Sequence, residues 1–190
     1  MQRGKKHFIK NLLKFFVIII CCFFAIIYIL REFIYPRKHF DIVKEEARKN
    51  NIDPYLVLAI IKTESNFIPD AHSGKASGLM QITETTAEWV CGKMDIEVES
   101  IDLFKPEDNI KIGCYYLRYL IDKYDGNIDV ALAAYNAGPA NVDGWLSDSK
   151  YSKNGRDLSY IPFKETREYV KKVNKQWQNY TKIYKNNKEE

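Results

Sequence analysis

Histidine is scarce in this 190-residue sequence. There are three, and His7 and His39 lie before and beside a long apolar run, leaving His72 alone in the body of the chain. With no second imidazole, His72 has no partner for a metal site and no place in a Ser-His-Asp arrangement that would enlist Ser65 or Ser73, so it reads as a loop histidine. Cysteine is nearly as sparse: of four, Cys21 and Cys22 sit inside the apolar run as apolar filler, and Cys91 and Cys114 stand apart without His or Cys neighbours at ligand spacing. That spacing excludes a zinc site but leaves a Cys91–Cys114 disulfide open in an oxidising compartment. Internal repeats and alternating strand patterns of useful length are missing too, which argues against solenoids and sheet-rich folds.

A basic stripe is also lacking, despite a formal charge of +4. Residues 1–35 hold six of the 29 Lys+Arg and one of the 25 Asp+Glu, so the rest carries 23 against 24. A near-neutral body excludes a nucleic-acid binder, whose affinity rests on phosphate neutralisation.

What the sequence does have is an apolar segment from Leu12 to Leu30, LLKFFVIIICCFFAIIYIL, broken only by Lys14. As a helix it spans roughly 28 Å, about the hydrocarbon thickness of a bilayer, and Lys14 can snorkel to the head groups. Bulky Ile27, Tyr28, Leu30, Arg31 and Phe33 stand where a cleavage site would need small residues, so the segment reads as an uncleaved signal anchor. Arg3, Lys5, Lys6 and Lys10 before the span, against balanced Arg31 and Glu32 after it, predict a cytoplasmic N-terminus and an outer body. The chain thus divides into a basic N-terminus (1–11), a transmembrane anchor (12–30), a short linker (31–39), an outer domain (40–180) and a polar tail (181–190).

The outer body reads as mainly helical. Phe40 to Asn50 is charged and amphipathic; Asp53 and Pro54 offer an N-cap and first-turn residue for PYLVLAIIKTES, ended by Ser65 and Asn66. A Pro-, Asp-, Ser- and Gly-rich loop, 69–78, leads to a helix with a capping box at Thr85 and Glu88. Pro106 opens a longer helix to Tyr124, with Ile110, Leu117, Leu120 and Ile121 on one face and Tyr115, Tyr116 and Tyr119 extending it as core or rim packing. IDVALAAYNAG follows and is stopped by Gly138 and Pro139. After a polar loop, 147–159, Pro162 opens a last helix with Phe163, Thr166, Val170, Val173 and Trp177 on its docked face.

Within this frame Glu64 stands out. It shares a side of its helix with Ile60 and Val57 and sits in the last turn, so desolvation and the helix dipole both push its carboxyl toward the pKa a general acid needs. Alone, it would pass for an ordinary half-exposed glutamate. Its surroundings, TESNFIPDAHSGKASGLMQITETTA, are similar to the signature of the soluble lytic transglycosylase family, in which Glu-Ser ends a helix and Gly-Leu-Met-Gln follows a loop. ALAAYNAGPANV resembles that family's Ala-Tyr-Asn-Ala-Gly block, IPFKETREYV its C-terminal Glu-Thr block, and NIKIGCYYLRYL its connecting helix. The blocks run in the family's order across about residues 40–175. One departure is Lys75, which stands where the family pattern has a glycine before Ala76.

The resemblance implies a mainly α, goose-type lysozyme-like fold (α+β, with a small β element after Glu64) that carries a glycan cleft behind the transmembrane helix. It implies a membrane-anchored enzyme acting on peptidoglycan strands without cofactor or metal, contacting membrane lipid through its anchor and, in one arrangement, a cell-envelope assembly. Glu64 would be the acid, and Ser73, Met80, Gln81, Tyr135, Asn136 and Glu165 would meet substrate. Each has a plainer reading: packing for Met80 and Tyr135, a helix cap for Asn136, and dipole compensation for Glu165. Two rivals stand beside this. One is a hydrolytic lysozyme on the same fold, using water with Asp70, Glu84 or Glu165. The other is a noncatalytic glycan-binding module, against which Glu64 argues because a pure binder has little use for a carboxyl on an apolar face.

Overall fold

The computed structural model describes residues 2–185, with side chains described from residue 11 onward. The cationic cluster Arg3 to Lys10 and the last five residues of the tail therefore lie outside the described side chains. The chain forms two compact units, 1–38 and 39–190.

The first unit is one helix, α1 (Gln2–Ile29), continued by a wide π-type turn over Leu30–Ile34. Asn11–Ile34 is long and apolar enough to cross a membrane. Phe33 and Ile34 extend the apolar run, so the helical path passes the boundary expected at Leu30 and leaves only 35–39 as a nonhelical connection. Phe15, Ile18, Phe24 and Phe33 are all more than half exposed. A row of such side chains is costly in water and suits a hydrocarbon solvent, in which a helix meets every backbone hydrogen bond internally.

The second unit is helical around a small sheet, with α2 (Phe40–Lys49), α3 (Pro54–Glu64), α4 (Glu84–Met94), α5 (Pro106–Lys123), α6 (Ile128–Ala137), α7 (Pro139–Ser147) and α8 (Lys164–Tyr180). Helix α3 starts as its sequence dictates: Asp53 Oδ1 accepts from Tyr55 N at 2.8 Å, and Pro54 fills the first turn. Six consecutive residues, Leu56 to Ile61, are buried, so α3 is enclosed on all sides and forms the domain's central rod. Its most extensive partner is α8, which buries Thr166, Tyr169, Val170 and Val173. Trp177 Nε1 donates to Asp53 Oδ2 at 3.0 Å and ties the two helices near the start of α3.

After α3 come β1 (His72–Ser73), β2 (Ala76–Ser77) and β3 (Ile82–Thr83), an antiparallel sheet in that order. His72 pairs with Ser77 and Ser73 with Ala76, so Gly74 and Lys75 form a two-residue hairpin loop. Gly74 takes φ +60°, the left-handed backbone such a loop asks of its first residue; Lys75 has no positive φ, and a glycine there is unnecessary.

Four local expectations are corrected. Helix α4 begins before the Thr85–Glu88 box because Thr83 leaves β3 with extended backbone, and its Oγ1 accepts from Thr86 N at 3.2 Å. Pro139 does stop α6, with Gly138 at φ +85°, but it also occupies the first turn of α7, a helix absent from the sequence reading. Helix α8 starts at Lys164, not Pro162, because Phe163 is extended at φ −73°, ψ 120°; Phe163 is half exposed, with its ring 5.0 Å from Trp145. Finally, Thr181–Lys185 is a helical turn rather than a loose tail, held by Tyr184, which is buried and stacks on Tyr180 and Tyr55. Cys91 and Cys114 are free thiols, buried on α4 and α5.

Candidate active site

Glu64 is the last residue of α3 and opens onto a cleft of about 430 Å³, which Ser73, Gln81, His72, Lys62 and Lys172 also line. Burial is the main force on its carboxyl and pushes its pKa up to about 7. The Tyr169 hydroxyl and the Lys172 ammonium oppose the rise, and Glu165 adds to it. Tyr169 is itself buried, and among the described residues its hydroxyl has no hydrogen-bond partner. Its hydroxyl nevertheless acts on the Glu64 carboxyl, where it is the largest influence opposing the effect of burial. Burial foremost, then Glu64, keeps the phenols of Tyr169 and Tyr135 far above their ordinary pKa, so both remain protonated donors.

The segment Gly78–Gln81 builds the wall beside Glu64. Ser65 Oγ donates to the Leu79 carbonyl at 2.8 Å, fastening the end of α3 to it. Asn109, wholly buried on α5, accepts from Met80 N at 2.7 Å and donates to the carbonyls of Ser77 at 2.9 Å and Leu103 at 2.8 Å. Gly78 is required twice over: its φ is +77°, and a Cβ there would collide with the Leu103 carbonyl and the Asn109 amide. Tyr135 Oη donates to the Met80 carbonyl at 2.8 Å, joining α6 to the same wall.

The structure gathers only some of the sequence-predicted residues. Glu64, Ser73 and Gln81 line one cleft. Gln81, however, spends its amide on the hairpin: Nε2 donates to the carbonyls of Gly78 and Ala71, and Oε1 accepts from Ser73 Oγ at 2.6 Å. Met80 does not line the cleft; its side chain is fully buried against Gly113, where a Cβ would strike its sulfur. Tyr135 lies behind the wall, half-buried, and Asn136 is half-buried in the last turn of α6 outside the cleft lining. Glu165 is exposed in the first turn of α8, where it is felt by Glu64 through its charge. Asp70 is exposed and outside the lining, and Glu84 lines a separate pocket with Glu88 and Asp102.

Sequence reasoning missed Tyr169, Lys172, Lys62 and Gln176. For Tyr169 a signal existed, since it continues the helical face of Thr166, Val170 and Val173 inside IPFKETREYV. For Lys172 and Gln176, on the outer turns of α8, nothing local separates them from solvated surface residues.

Residues 41–158 match the family described as "Transglycosylase SLT domain". The chain is similar to a soluble lytic murein transglycosylase from Escherichia coli (strain K12), with 37% identity over 143 residues, covering 73% of this chain and 22% of that protein. It is also similar to a membrane-bound lytic murein transglycosylase C from Edwardsiella ictaluri, with 33% identity, covering 77% of this chain and 47% of that protein. Among solved structures it superimposes on an inactive mutant of lytic transglycosylase Slt from Pseudomonas aeruginosa with a TM-score of 0.69 and 34% identity, covering 78% of this chain and 24% of that one. The chain thus spans about a quarter of the soluble relatives and about half of the membrane-bound one.

Proposed function

The chain belongs to the transglycosylase SLT domain family, and from that premise we propose that it is a membrane-anchored peptidoglycan lytic transglycosylase with Glu64 as acid and then base. One observation carries the reading: Glu64 is held near pKa 7 and is the only carboxylate among the described residues lining its cleft. Ordinary glycosidases need a second carboxylate across the scissile bond as nucleophile or base. With a single one, the substrate has to supply the missing group.

Glu64 protonates the glycosidic oxygen between N-acetylmuramic acid and N-acetylglucosamine. As that C–O bond breaks, the muramyl acetamido oxygen stabilises the positive anomeric carbon. The Glu64 carboxylate then takes the proton from the muramyl C6 hydroxyl, whose oxygen bonds to the anomeric carbon and closes a 1,6-anhydro ring. Glu64 ends protonated and no water is consumed. Tyr169 and Lys172 stabilise the carboxylate between the two proton transfers, and Tyr135 and Asn109 hold the wall in register.

The first transfer requires protonated Glu64. We therefore expect kcat/KM to fall about tenfold per pH unit above a midpoint near 7. A flat profile between pH 6 and 9 would contradict the assignment.

The membrane anchor is read from α1 and its unburied apolar surface. With the body outside, protease added to intact protoplasts should remove residues 39–190 and leave α1 in the membrane fraction. Full protection until lysis would contradict that topology.

A further inference from the structure

The chain from Tyr169 to Lys185 holds five lysines and no Asp or Glu. At 3.6 residues per turn, Lys171 and Lys175 of α8 and Lys182 of the turn that continues it fall within about 40° of arc, along roughly 16 Å of helix axis. They are exposed and stand opposite the face that buries Tyr169, Val173 and Tyr180. Among the described residues none of the three makes a hydrogen bond or an ion pair. Elsewhere in the domain surface cations stand beside carboxylates: Lys164 with Glu168, Lys49 with Glu45 and Glu46, Arg118 with Asp122, and Lys123 with Asp143. On the flank of the lysine line, the Asp129 carboxylate accepts from Asn174 Nδ2 at 2.7 Å. Lys171 and Lys175, four residues apart, therefore repel each other unrelieved, which works against the helix.

The domain hangs from the apolar helix by residues 35–39 alone, a tether of at most about 20 Å. Phe40, the first residue after it, stacks on Tyr55, and Tyr55 stacks on Tyr184. The end of α8 that leads to Lys182 thus belongs to the end of the domain that the tether enters. Ammonium groups held that near a bilayer are attracted by anionic headgroups, at about fivefold in binding for each lysine.

We propose that Lys171, Lys175 and Lys182 form a lipid-docking face that lays α8 along a bilayer surface rich in anionic headgroups. The proposal rests on the reading of α1 as a membrane anchor and adds what an anchor alone does not supply, the orientation of the cleft. Lys172 and Gln176, the α8 residues lining the Glu64 cleft, lie about 80–120° round the helix from the lysine line. With that line on the lipid, the cleft opens sideways, along the membrane plane, where strands running parallel to the bilayer can enter it.

The test uses the full chain in nanodiscs, one set of phosphatidylcholine alone and one with about a third phosphatidylglycerol to supply the anionic surface. Acetylation of each lysine by acetic anhydride is timed by peptide mass spectrometry, with Lys75 on the β1–β2 hairpin as the exposed reference. Lys171, Lys175 and Lys182 should react at least about fivefold more slowly in the anionic discs, with Lys75 unchanged, and high salt should abolish the difference. In a Lys171→Gln/Lys175→Gln variant, Lys182 should lose that protection. Equal rates in the two discs, or undiminished protection of Lys182 in the variant, overturns the docking face and leaves the anchor standing. Protection by soluble peptidoglycan fragments added to the zwitterionic discs, without protection in the anionic ones, overturns lipid as the occupant in favour of the wall. Failure of the chain to co-elute with discs of either composition would sink the anchor reading, and the docking face with it.

Discussion

Glu64→Gln is expected to reduce peptidoglycan cleavage by at least about a thousandfold, because general acid catalysis alone contributes roughly 10²–10⁴ and here the same group also serves as the base. The amide keeps the shape of the carboxyl and fills the same space but cannot donate to the leaving oxygen. The fold should not merely survive; at alkaline pH it should improve. The wild-type carboxyl is raised from 4.5 to about 7 in the folded protein, so the folded chain binds this proton more tightly than the unfolded chain. The stability linked to it is fully present below about pH 4.5 and is lost as pH rises through about 7. The full displacement corresponds to roughly 3 kcal/mol, less what partial solvent access screens. Glutamine has no such loss. Thermal unfolding should therefore show the variant and wild type close at pH 5 and the variant more stable at pH 8. A variant that retains substantial cleavage, or that is less stable at pH 8, would contradict the role assigned to the carboxyl.

The second large effect belongs to a residue that does not face the cleft. Asn109→Ala removes an acceptor from Met80 N and two donors from the carbonyls of Ser77 and Leu103, all in buried surroundings. Leaving buried polar groups unpaired costs about 1–3 kcal/mol each before relaxation, so a net loss of roughly 3 kcal/mol is expected. For a domain of this size the melting temperature should drop by about 6–12 °C. Activity should fall further than stability alone accounts for, since the same bonds fix the turn carrying Gln81 and the carbonyl that Tyr135 holds. A melting temperature within about 2 °C of wild type would show that the asparagine network does not hold the wall.

Whatever was written within a few residues could be read from the sequence. Asp53 and Pro54 announce α3, the apolar run announces α1, and Glu64 is marked by its helix end and its block. Signals with two local readings went astray. Gly138–Pro139 reads as a stop although the same proline starts α7, and Thr83 wins the cap over Thr85 because β3 delivers it in extended conformation. What could not be read is what α8 brings back to α3 across the chain. Lys172 reaches Thr63 over a separation of 109 residues, and no periodicity or propensity encodes that meeting. The division of labour inside Gly-Leu-Met-Gln was equally hidden. Met80 faces inward because Gly113 leaves room for it, and Gln81 braces a hairpin whose closure depends on pairing between residues 72–73 and 76–77.

In the proposed mechanism one carboxylate, assisted by the substrate's own acetamido and hydroxyl groups, cuts the strand without water. Mass spectrometry of the muropeptides released from purified peptidoglycan tests it most directly. The released products should end in 1,6-anhydro-N-acetylmuramic acid, lighter by one water than hydrolytic products and resistant to borohydride reduction. Products dominated by reducible muramic acid ends would contradict it and make the protein a hydrolytic lysozyme on the same fold.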